Sequence, residues 1–177
     1  MAENDLDLVQ RGLLIENSFG WQDYNDLATK TTPIEFTLAD TWYEITNDSL
    51  GPYTNKEHKI FDHGNIWDTT TNSFNFSSLN VGDIVLLRLS AYITTSTSNT
   101  DVYGKIVMAV GSDAEWELPI FGQTIKHSGK KNFPITTFFG IDSEQMRNYP
   151  SKIMGSADAT GVSLETDGWR VISLCRN

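Results

Sequence analysis

An intrachain disulfide is closed to this chain. Its 177 residues include one cysteine, Cys175, which cannot pair within the chain. It lies in an alternating terminal run suited to a small buried hydrophobe, and a reactive thiol is the alternative reading. No apolar run approaches the roughly 20 residues of a membrane helix, so no membrane is expected as a partner. The acidic N-terminus lacks the basic start and apolar centre of a secretory leader, and the chain is expected to be made and kept in a cytosol or assembled there. Basic charge is scarce too. Thirteen Lys and Arg against 23 Asp and Glu leave a formal charge of −10, and without a basic surface to meet phosphate, nucleic acid is excluded as an expected partner. A serine nucleophile elbow, a phosphate-cradling glycine loop and a dinucleotide fingerprint are also missing. The expectation is a protein that is not an enzyme, with no catalytic residue and no cofactor.

Histidine is nearly as rare. Two of the three histidines stand in Glu57-His58-Lys59-Ile60-Phe61-Asp62-His63. His58, Asp62 and His63 could hold a divalent cation on a loop, but the spacing of a zinc site is missing, so solvated loop residues and no metal are expected. Carboxylates are abundant, and a glycosidase needs only two across a cleft. Yet Asp62, Asp68, Asp83, Asp101, Asp113 and Asp142 all fall at corners where aspartate caps turns, and none is marked out as catalytic.

What the chain does have is alternation. From Asp83, Val85, Leu87, Leu89, Ala91 and Ile93 are apolar on one parity, while the other runs Ile84, Leu86, Arg88, Ser90, Tyr92 and Thr94. This is a strand with one wholly buried face. Its second face begins apolar, so Ile84, Leu86 and Tyr92 are expected to be covered by something besides the opposing sheet: another subunit of a homotrimer, or the N-terminal arm of the same subunit. Val102, Gly104, Ile106, Met108 and Val110 alternate in the same way and are expected to pair with that strand as a long hairpin. Ile66-Trp67-Asp68 and Ser73-Phe74-Asn75-Phe76 flank Thr69-Thr70-Thr71-Asn72 as a short hairpin.

Further short strands are expected around Ile34–Leu38, Trp42–Ile45, Trp116–Ile120 and Phe133–Phe139. Three more follow from Lys152 onward, the last two joined by a tight Thr166-Asp167-Gly168 turn. Asp142–Asn148 favours a turn or two of helix, limited by Pro150. About eight to ten short strands with turn signals at roughly 8–12-residue spacing give an all-β class, a β-sandwich or jelly roll, long enough to bury a core unaided. The five Trp and six Tyr suit core and interface packing, with a sugar-stacking surface as the alternative.

The first thirty residues differ in texture. Leu6, Val9 and Leu13 recur at helical spacing after Asn4, although Leu6 and Leu8 could alternate in an extended arm. With Leu14 and Ile15 they are too apolar for a free linker, each leaving roughly 1.5–3 kcal/mol of burial unrealised in water. Residues 1–30 are therefore expected to form an attachment arm, closing the end of the chain's own body or docking on a neighbour, and residues 31–177 a jelly-roll domain.

The Asn47-Asp48-Ser49-Leu50-Gly51-Pro52-Tyr53-Thr54-Asn55 loop, Ile66-Trp67-Asp68, Phe74-Asn75-Phe76-Ser77, Leu79-Asn80-Val81-Gly82-Asp83 leading into Arg88, and Gly168-Trp169-Arg170-Val171 together resemble structural proteins of tailed bacteriophages. They are also similar to trimeric jelly rolls of the tumour-necrosis-factor and complement-globular-head kind. The resemblance covers roughly residues 31–177. It implies a virion building block assembled as a homotrimer in the host cytoplasm, a capsid decoration or cement protein bound to the major capsid protein or another virion protein. The rival expectation is the receptor- or glycan-binding tip of a tail or head fibre, and a third is a glycan-cleaving enzyme.

Overall fold

The alternating runs become strands, and the corners rich in Asn, Asp and Gly become the turns between them. The computed structural model describes residues 18–60 and 63–176. In chain order these form β1 (Phe19–Asn25), α1 (Ala28–Thr31), β2 (Ile34–Phe36), β3 (Tyr43–Glu44), β4 (Trp67–Asp68), β5 (Ser73–Phe74), β6 (Ile84–Thr95), β7 (Thr100–Met108), β8 (Trp116–Ile125), β9 (Gly129–Gly140), α2 (Glu144–Asn148), β10 (Lys152–Ala157) and β11 (Val162–Leu174). One sheet has the order β1-β11-β6-β9, with β2 also pairing β11, and the second has the order β3-β10-β7-β8. Every pairing in both is antiparallel. The fold is an all-β jelly-roll sandwich.

Period-two burial makes the core. Val85, Leu87, Leu89 and Ile93 of β6 share one buried cluster with Val102, Ile106 and Met108 of β7 and Leu164 and Val171 of β11, each such side chain contributing roughly 1.5–3 kcal/mol by leaving water. The β4–β5 hairpin expected from the sequence is present, with Trp67 opposite Phe74. It adds an aromatic cluster to that core: the Trp67 ring lies 4.5 Å from Trp169 and 5.0 Å from Phe74, and Phe76 lies 5.6 Å from Phe139. Trp67 Nε1 donates to the Asn47 carbonyl at 2.9 Å, so the indole is buried without stranding its polar atom. α2 is the short helix expected before Pro150. The Ser143 side chain caps it by accepting from Met146 N, and Met146 is buried.

The expected hairpin of the strands after Asp83 and Val102 does not form. β6 lies between β11 and β9 in one sheet, and β7 lies between β10 and β8 in the other. Residues 96–99 carry the chain across the sandwich. Both strands have one apolar face to bury, and that requirement is met equally well by facing each other as by pairing edge to edge. A second correction concerns Thr166-Asp167-Gly168. The segment is a β-bulge inside the 13-residue β11, with Thr166 opposite Ala91, Gly168 opposite Ser90, and Asp167 left over. Gly168 takes φ +116, where L side chains are strained, and this lets the strand absorb the extra residue and continue. Two strands therefore follow Lys152 where three were expected.

The bulge is clamped from the N-terminal side. Thr166 N donates to Thr29 Oγ1 at 2.8 Å, Thr166 Oγ1 donates to the buried Asp26 carboxylate at 3.0 Å, and Asp26 N donates to the Asp167 carbonyl at 3.1 Å. Asp26 also accepts from Thr29 N and Asp48 N. α1 is thereby fixed between β1 and β2, which pair with β11 on either side of the bulge. Within the span read as an arm, Phe19–Asn25 is thus a seven-residue strand of the first sheet. Leu6, Leu8, Val9, Leu13, Leu14 and Ile15, and the short helix expected there, lie outside the described residues.

Candidate functional site

Directly opposite residues of an antiparallel pair share a face, so the register orders the outer face of the first sheet into rows. Phe19, Leu174, Ile84 and Gly140 form the first row, and Trp21, Ile172, Leu86 and Phe138 the second. In the third row stand Asp23, Arg170, Arg88 and Thr136, and in the fourth Asn25, Gly168, Ser90 and Pro134. The first two rows are an apolar patch spanning four strands. Phe138 is 74% exposed and Ile84 42%, while Leu86, Trp21 and Ile172 are half-buried. Phe19 and Trp21 stand with ring centroids 5.7 Å apart, and Trp21 stacks on His58 at 4.4 Å.

The structure therefore brings together two of the three residues expected at an interface and separates the third. Ile84 and Leu86 lie in the patch. Tyr92 lies beyond the polar rows, with Lys130 Nζ 4.8 Å from its ring centroid and Lys130 ion-paired to Glu165 at 2.6 Å. The other members of the patch were legible only in part. Phe138-Phe139 and Val171-Ile172 put apolar residues on both parities of a strand, the same signal that singled out Ile84 and Leu86, but only the register shows that they are neighbours.

The polar rows form the floor of an open groove of about 690 Å³. Its walls include Pro52 and Tyr53 from the turn-rich 46–56 loop, with Lys30 from α1. The bulge pushes Asp167 into it, where its carboxylate meets Lys30 Nζ at 2.8 Å and accepts from Ser90 Oγ at 3.2 Å. Arg170 makes a two-pronged pair with Asp23, at 2.6 and 2.9 Å. These carboxylates hold the Lys30 ammonium and the Arg170 guanidinium above their ordinary pKa values, through the hydrogen bond first and the charge second. Arg88, exposed and directly opposite Arg170, has no hydrogen bond or ion pair to any described residue. Tyr53 is 79% exposed.

Of the residues weighed as metal ligands, His58 and His63 are described, and Asp62 lies outside the described residues. His58 stacks on Trp21. Among the described residues, no group of three or more His, Cys, Asp or Glu is placed to hold a metal ion. Cys175 is half-buried, and burial, then the neighbouring Asp83, pushes its thiol up to about 12.

No family model matches this chain, and no curated protein does. Solved structures with a similar fold include the T13 IBDV viral particle (TM-score 0.40, 7% identity, 54% of this chain and 23% of that one) and Eiger TNF from S. frugiperda (TM-score 0.48, 9% identity, 90% and 94%). The CBM22-1 xylan-binding domain of Paenibacillus barcinonensis Xyn10C is a third (TM-score 0.42, 6% identity, 82% and 94%). The chain spans less than a quarter of the IBDV protein's length. The neighbours thus include viral capsid proteins, a TNF-like protein and a carbohydrate-binding module, and at these scores none of their functions follows for this chain.

Proposed function

We propose that this chain is a non-enzymatic structural subunit of a virus particle, of the tailed-bacteriophage kind. It associates as a homotrimer through the apolar end of its first sheet and decorates or cements the capsid. The observation that carries this reading is the two-row patch of Phe19, Leu174, Ile84, Trp21, Ile172, Leu86 and Phe138. A monomer gains nothing by presenting apolar side chains across four adjacent strands to water, and contiguous exposed patches of that kind mark association surfaces. Further copies of the chain fit it, because apolar patches turned toward a three-fold axis cover one another through heterologous contacts that close into a ring. Leu6, Leu8, Val9, Leu13, Leu14 and Ile15 supply the attachment arm to the major capsid protein or another virion protein. Ile84 and Leu86 then lie inside the trimer interface, and Tyr92, beyond the polar rows, lies outside it.

Two measurements test it. On a gel of purified particles, a cementing role gives hundreds of copies of this chain per particle, whereas a fibre tip gives few. In solution, Phe138→Glu removes an apolar anchor worth roughly 1.5–3 kcal/mol per contact and should weaken self-association by about tenfold or more per interface. Folding stability should stay within about 0.5 kcal/mol, the usual range at an exposed site. Self-association equal to that of the unaltered chain would exclude the patch as the interface.

A further inference from the structure

We propose that the polar groove beside the patch is a binding site in its own right and takes an acidic oligosaccharide, held by the sugar's carboxylate on Arg88 and by its ring on Tyr53. The groove is complete within one chain. Arg88 and Arg170 are directly opposite on one face of the sheet, and like charges so placed are destabilising. Asp23 answers only one of them, through its pair with Arg170, and Asp167 is engaged with Lys30 and Ser90. Three cations against two carboxylates line the groove, which leaves a local positive surplus in a chain of formal charge −10. The free charge is a guanidinium, whose planar fork matches a carboxylate with two parallel hydrogen bonds.

The rest of the lining narrows the anion to one carried on a sugar. Tyr53 presents a largely exposed ring beside Pro52, and such faces bury the C–H groups of a pyranose while the phenol edge stays wet. Asn55 adds a neutral side-chain amide suited to hydroxyls. A groove of about 690 Å³ falls within the roughly 300–1,000 Å³ of small-ligand sites. The bulge at Asp167 and its clamp to Asp26 and Thr29 fix the floor, so the site is largely formed before any ligand arrives.

The test is calorimetric titration of the full chain with 3′-sialyllactose and with tetragalacturonate. Lactose, methyl-esterified tetragalacturonate and tetraglutamate serve as controls. The expected result is binding of at least one acidic sugar, with its uncharged counterpart weaker by about tenfold or more. Arg88→Ala and Tyr53→Ala should each lose about tenfold at unchanged melting temperature, and Arg88→Lys should recover part of the loss, since it restores the charge without the fork. The proposal is overturned if neither acidic sugar binds below about 10 mM, if Arg88→Ala binds as the unaltered chain does, or if tetraglutamate matches the sugars. Sedimentation of the same samples reads assembly separately, so failure of the sugar site and failure of the trimer are distinguishable.

Discussion

Replacing Gly168 with Ala should be among the most damaging single-methyl changes available in this fold. Gly168 sits at the bulge of β11 with φ +116, a region that costs an L residue roughly 1–3 kcal/mol. A Cβ there would also run into the Tyr24 carbonyl oxygen, with the Asn25 Cα at 2.7 Å and the Tyr24 carbonyl carbon at 2.9 Å. All three atoms are backbone of the paired strand β1 and cannot swing aside. β1 would have to leave the sheet at its C-terminal end, and with it the buried Asp26 network that fixes α1. The expected loss is about 3–5 kcal/mol, the range of strain combined with a broken buried network, read as a fall in the urea midpoint. Gly111→Ala isolates the conformational part, because Gly111 has φ +82 and a Cβ there meets nothing within 4 Å. It should lose about 1–2 kcal/mol. Equal losses for the two variants would refute the clash and the clamp together.

Two further outcomes follow from buried polar groups. Burial pushes the Tyr24 hydroxyl up to about 12 from 10.0. The folded chain therefore holds this proton more tightly than the unfolded one, and the stability it contributes is present below pH 10 and lost as pH rises from about 10 to about 12. Tyr24→Phe leaves Trp67 N without the acceptor it has at 3.0 Å and should cost about 1–3 kcal/mol at pH 8. The gap to the unaltered chain should narrow above pH 10, and a constant gap in urea titrations across that range would contradict this. Cys175, with its thiol raised to about 12, should react with iodoacetamide at pH 8 on the order of a hundredfold more slowly in the native than in the urea-unfolded chain. Comparable rates would show an accessible thiolate.

Alternation makes much of the fold legible in the sequence. The run Val85 to Ile93, the Trp67–Phe74 hairpin and the one-turn helix before Pro150 each carry their own signal, because a period-two face or a proline acts locally. Partner choice does not. β6 and β7 present the same pattern whether they pair side by side or face each other across a core, and only the pairing of the whole set puts β11 and β9 beside β6. Asp167-Gly168 reads as a turn because aspartate and glycine serve turns and bulges alike, through the same left-handed backbone. The candidate site was legible in part for the same reason. Ile84 and Leu86 stand out within one strand, whereas Phe19, Leu174 and Phe138 join them only through register. The Arg88–Arg170 juxtaposition spans 82 positions of the chain and has no local signature at all.

The most direct measurement of the proposed assembly is the native mass of the full chain at micromolar concentration, by sedimentation equilibrium, alongside Phe138→Glu. The expected result is a species of about three times the 19.9 kDa chain mass, shifted toward the single-chain mass in the variant as the patch loses its exposed ring. A single-chain mass for the unaltered protein, or a trimer indifferent to Phe138→Glu, would contradict assembly through the first two rows of the sheet.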